Sequence, residues 1–148
     1  MAGIDLEAIH RALADKIRTG ISTDTNVNPF PGGMPIYPSI TVYPGSPYIE
    51  DYFDTFGPNG YMTVNLRLKV EVDAASEESI AIKLCRYLNV GTGNTSSIAD
   101  AVMATNHTLG GTVVECVITG DVEWNWEADP GTVWVPVRIV AKKTSAGV

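Results

Sequence analysis

Between Tyr61 and Asp73 the sequence alternates without a break. Met62, Val64, Leu66, Leu68, Val70 and Val72 share one side of an extended chain, and Thr63, Asn65, Arg67, Lys69 and Glu71 share the other. Successive side chains of a strand point to opposite faces, so this period of two predicts a long strand with one face in a core and the other half solvated. Such a strand cannot stand alone: its edges need further strands, and its apolar face needs a second layer.

The covering layer is legible as helices. Leu6, Ile9, Leu13 and Ile17 recur at spacings of three and four, Asp5 stands where a cap belongs, and Gly20 stands where a helix would stop. Ser76 followed by Glu77 and Glu78 opens a second helix with Ile80, Leu84 and Leu88 on one face, ending near Gly91. Ser97-Ile98-Ala99-Asp100 fits a variant capping box for a short third helix through about Thr105.

Further strands are less regular. Residues 28–47 hold six of the nine prolines, so most of that stretch must be extended or turning. Within it, Ser39–Tyr43 ("SITVY") is predicted as a short strand bracketed by Pro38 and Pro44, and a long extended loop follows at about 44–60. Val114, Cys116, Ile118, Val122, Trp124 and Trp126 share one parity, as do Val133, Val135, Val137, Ile139 and Ala141, and "EADPGT" between them supplies turn chemistry for a hairpin. Pro136 cannot donate to a ladder, which predicts an edge or a bulge there. The expected fold is α+β, an antiparallel or mixed sheet of about four strands with helices packed on one face, in a single domain over 1–148.

The chain's 148 residues suit one domain of roughly the usual 100 to 200, and no apolar run approaches the length of about 18 needed to span a bilayer. The N-terminus spreads its charges through an amphipathic pattern, which predicts an intracellular origin and no membrane partner. Seventeen acidic against ten basic residues give a net charge of -7, and no Lys or Arg occurs between Arg18 and Arg67. Nucleic-acid binding needs clustered cations to replace phosphate counterions, so specific DNA binding is disfavoured.

Candidate chemistry is sparse. "GTGNTS" at Gly91–Ser96 follows a helix where a dinucleotide-binding turn follows a strand, and it lacks that motif's third glycine. His10 and His107 have no second ligand at metal spacing, and the acids Glu50, Asp51 and Asp54 lack the calcium-loop pattern. No Gly-x-Ser-x-Gly occurs, and Cys85 and Cys116, 31 positions apart, are expected to be buried structural thiols. The expectation is therefore a protein that is not an enzyme, with no catalytic residue, no metal and no cofactor.

Aromatic residues point elsewhere. In "PGSPYIEDYFDTFGPNG", Pro44–Gly60, turn-forming residues carry Tyr48, Tyr52, Phe53 and Phe56 among Glu50, Asp51 and Asp54, with no cation. Aromatic side chains are enriched at interface cores, so those four are candidate assembly contacts; the alternative is a small cluster packed under a long loop.

The N-terminal helix, "NPFPGGMPIYPSITVYPG", "YIEDYFDTFG", "NLRLKVEVD", "LNVGTGNTSSIADAV" and "TLGGTVVECVI" resemble tail terminator proteins of long-tailed phages, especially those infecting actinobacteria. The resemblance covers nearly the whole chain, and "GTGNTSSIADAV" with "TLGGTVVECV" are its most specific parts. It implies a virion protein, assembled in the host cytoplasm, that forms a homo-oligomeric ring, commonly a hexamer. The ring would cap the tail tube and join it to the head or neck. Its partners would be further copies of itself, the tail tube protein and a head-to-tail connector or stopper. Genome DNA would pass nearby without specific binding, past Glu50, Asp51 and Asp54 as candidate channel-facing acids. Another connector, a stopper or neck protein, stays open as an alternative, and a small enzyme or ligand-binding module as a more distant one.

Overall fold

The computed structural model describes residues 4–21, 24–33, 36–50, 60–73, 76–90, 97–103, 109, 113–125 and 130–142. In chain order these form α1 (Leu6–Gly20), β1 (Asn26–Asn28), β2 (Ser39–Glu50), β3 (Tyr61–Val72), α2 (Glu77–Leu88), α3 (Ile98–Met103), β4 (Glu115–Ile118), β5 (Glu123–Asn125) and β6 (Gly131–Lys142). The strands make one sheet in the order β1-β2-β3-β6-β4, with β5 also paired to β6. β1 runs parallel to β2 and every other pairing is antiparallel, so the sheet is mixed and the fold α+β.

β3 is the centre. All twelve of its residues pair with β6, from Tyr61 opposite Lys142 to Val72 opposite Gly131, and β2 covers its other edge. Its even-numbered residues from Met62 to Val72 are buried, as the alternation predicts, and meet the buried odd-numbered residues of β6 from Val133 to Ala141. The helices lie over this face. Ile9, Leu13 and Ile17 of α1, Ile80 and Leu84 of α2, and Ile98 and Val102 of α3 join the same buried cluster.

Each helix starts where its cap requires. Asp5 accepts from the Ala8 amide at 3.1 Å, Ser76 from the Ser79 amide at 3.2 Å, and Ser97 from the Asp100 amide at 3.1 Å, satisfying amides that have no intrahelical partner. Two glycines permit the close packing of these helices. A Cβ on Gly131 would lie 2.1 Å from Cγ2 of Ile80, and one on Gly20 would lie 2.7 Å from Cβ of Ala101. Farther out, Arg18 donates to the Val27 carbonyl at 2.8 Å, and the Thr25 and Tyr87 hydroxyls are 2.8 Å apart in a buried site. These contacts tie the start of the sheet to α1 and α2.

Three expectations need correction. The short strand expected at Ser39–Tyr43 continues to Glu50, through Pro44 and Pro47. This works because β1 covers β2 only as far as Thr41, leaving later residues an open edge where a missing amide proton costs no ladder bond. Pro44 stands opposite Leu66 and Ile49 opposite Val64, so β2 bulges between them instead of leaving the sheet.

Secondly, the sheet has six strands among the described residues instead of about four. β1 is an addition, and the run from Val114 to Trp126 divides into β4 and β5. The division falls opposite Pro136, whose carbonyl accepts from the Thr119 amide at 3.1 Å. A strand residue's amide and carbonyl face the same neighbour, so the donor that proline lacks would have pointed into this break. The expected hairpin is present, with its interruption where the proline demands one. Thirdly, Cys116 is buried but Cys85 is exposed on α2. Ile80, Leu84 and Tyr87 form the buried stripe of that helix, and position 85 lies outside it.

Candidate assembly surface

The candidate residues of the segment after Pro44 have different placements. Tyr48 is half-buried on β2, with its hydroxyl 2.9 Å from Nε2 of His10 and its ring edge-on to the imidazole at 6.0 Å. Glu50 is the exposed last residue of β2, opposite Thr63. Tyr52, Phe53, Phe56, Asp51 and Asp54 lie outside the described residues.

His10 itself is 3% exposed, although the sequence offers no sign of it beyond a polar residue beside Ile9. Its Nδ1 is 2.9 Å from the Pro29 carbonyl, and its ring stacks on Phe30 at 4.6 Å. Burial lowers its pKa, against an opposing contribution from the Pro29 bond. Burial likewise raises that of Tyr48. The cluster fastens α1 to the 29–30 turn and to the far half of β2, so Tyr48 contributes to the domain's own packing.

A second aromatic group occupies the face of the sheet opposite the helices. On β3 this face carries Asn65, Arg67, Lys69 and Glu71; on β6 it carries Thr132, Trp134, Pro136 and Arg138. Register sets Lys69 directly opposite Trp134 and, on the other edge, Arg67 directly opposite Tyr43 of β2. The four side chains interlock across three strands. Tyr43 meets Trp134 edge-on at 5.3 Å, the Arg67 guanidinium lies 4.5 Å from the indole centroid, and the Lys69 ammonium is 5.4 Å from the indole and 5.7 Å from the Tyr43 ring.

Cation–π attraction holds both cations over the rings, and the Arg67 Nε also donates to the Pro44 carbonyl at 3.3 Å. Lys69 lies 3.8 Å from Glu71. Arg67, an exposed residue, has no carboxylate within salt-bridge distance among the described residues. On either side of Lys69 the face is hollowed. One hollow of about 340 Å³ is bounded by Trp124, Thr132 and Trp134, and one of about 230 Å³ by Phe30, Tyr43 and Glu71. Part of this strip was legible: the alternation alone turns Arg67 and Lys69 away from the core. Their convergence on Tyr43 and Trp134 depends on strand register, which no local pattern reveals.

The arrangement suits recognition of negatively charged groups on another macromolecule. A planar guanidinium fixed by stacking presents its donors with little entropy left to lose. Among the described residues no cluster of three or more His, Cys, Asp or Glu converges as metal ligands would, and no helix is long and apolar enough to cross a membrane. Neither family models nor curated proteins match the chain.

Proposed function

We propose that this chain is a structural virion protein, a phage tail terminator whose copies form a ring that caps the tail tube and joins it to the head or neck. The observation that carries the reading is the face of the sheet opposite the described helices, where Tyr43, Arg67, Lys69 and Trp134 form an aromatic and cationic strip. Aromatic and arginine side chains are the residue types that dominate interface energetics. The motif resemblance in "GTGNTSSIADAV" and "TLGGTVVECV" gives that surface its context. In this role the partners are further copies of the chain, the tail tube protein and a connector. Genome DNA passes by a protein whose net charge of -7 gives it no general affinity for phosphate.

Sedimentation and electron microscopy test the reading. The purified chain should form closed rings, alone or on tail tubes, and antibody labelling should place it at the junction of tail and head. Strict monomers that ignore tubes, or label at another position in the particle, would overturn it. Tyr52→Ala with Phe53→Ala tests the aromatic segment: ring formation should be lost while the melting temperature is kept. Tyr48→Ala, by contrast, should lower the melting temperature because Tyr48 is bonded to His10.

A further inference from the structure

We infer that the Arg67–Trp134–Lys69–Tyr43 strip is the socket of the ring interface, and that its occupant is the acidic segment Glu50–Asp54 of a second copy. This rests on the ring reading and adds which surfaces meet.

Charge complementarity selects the occupant. Glu50, Asp51 and Asp54 place three carboxylates within five residues, in a chain that has no cation between Arg18 and Arg67. The strip offers a stacked guanidinium without a carboxylate partner among the described residues and an ammonium held at 3.8 Å from Glu71. Tyr52 and Phe53, interleaved with the acids, are of the same aromatic kind as the indole and phenol of the strip.

The ring reading makes the occupant a second copy. Glu50 stands opposite Thr63, four residues along β3 from Arg67. At about 3.3 Å per residue, that separation along the strand is roughly 13 Å. Glu50 at the end of β2 and a socket at the middle of the sheet are different patches of one surface. Joining such patches between copies is a head-to-tail contact, and that contact closes into a ring when the rotation between copies permits.

Charge exchange tests this, with sedimentation velocity and light scattering as readouts. Arg67→Glu with Lys69→Glu should weaken self-assembly at least about 100-fold, because like charges then face each other across a desolvated contact. Glu50→Lys with Asp51→Lys and Asp54→Lys should do the same. Mixed in equal amounts, the two variants should regain rings, since in an alternating ring every socket meets a complementary segment; recovery also shows that both variants are folded. Wild-type assembly should weaken with added salt.

If the socket variant assembles like the wild type, the inference fails while the ring reading stands. If each variant is defective, keeps its circular dichroism spectrum and shows no recovery on mixing, the pairing of these two surfaces is wrong. Should either variant fail to fold, Arg67→Ala with Lys69→Gln and Asp51→Asn with Asp54→Asn replace them, and unaltered assembly in both would overturn the inference. A wild-type chain that never assembles, alone or on tubes, overturns both the socket and the ring.

Discussion

His10 and Tyr48, 38 positions apart, fix each other's protonation through one 2.9 Å hydrogen bond. The Pro29 carbonyl can only accept, so Nδ1 of His10 carries the ring proton. Nε2 of the neutral ring is then the acceptor, and the Tyr48 hydroxyl donates to it. Protonating His10 would leave two ring donors and force that hydroxyl to turn. Burial lowers the histidine's folded pKa below its ordinary 6.5.

The consequence for stability has a definite sign. Below the ordinary value the unfolded chain binds a proton that the folded chain resists, so stability is full above about pH 6.5 and falls on acidification until the folded value is passed. Melting temperature should therefore drop as pH is lowered through this window. In His10→Gln that component of the slope should vanish. An identical pH profile in the two proteins would rule His10 out as its source.

Thiol labelling should divide the two cysteines. Cys85 is exposed, and Cys116 is fully buried with its pKa pushed up to about 12 by burial, against a weaker downward pull from Lys16. A maleimide should modify Cys85 in the native protein and reach Cys116 only after unfolding. Rapid double modification would mean that β4 opens far more readily than its pairing implies.

Leu66 is 1% exposed at the middle of β3 and stands opposite Pro44 on one edge and Val137 on the other. Leu66→Ala should cost about 2 to 5 kcal/mol, measured by denaturant unfolding. A loss under about 1 kcal/mol would show that the cavity collapses, contrary to the tight packing of both layers.

Gly131→Ala should destabilise although the substitution usually stiffens an unfolded chain favourably. The new methyl would lie 2.1 Å from Ile80 Cγ2, so α2 must shift or Ile80 must change rotamer, an overpacking cost of about 1 to 3 kcal/mol. Ile80→Ala in the same chain should recover part of that loss; strictly additive losses would place the effect elsewhere.

The elements that sequence resolves here are those whose signal is local. Asp5, Ser76 and Ser97 announce the three helix starts, and the period of two from Tyr61 to Val72 announces both the central strand and its buried face. Pro44 and Pro47 obscured the length of β2, because whether a proline ends a strand depends on whether its open side has a neighbour, which is a property of the sheet. Pro136 was readable as a break without showing that the break would divide a strand in two. The strip formed by Tyr43, Arg67, Lys69 and Trp134 was the least accessible, since its members come from three strands and meet only through register.

The pairing of β3 with β6 also governs how the molecule must form. β2 and β3 are neighbours in the chain and can meet early, but every rung between β3 and β6 joins residues separated in sequence by α2, α3, β4 and β5. Closing that long loop precedes any return from the central ladder, which makes it the entropic bottleneck of folding. On the ribosome a nascent chain would hold β3 with one edge bare until β6 emerged. Once closed, β3 is flanked along its length, and its amide protons should exchange with solvent only when the whole domain opens.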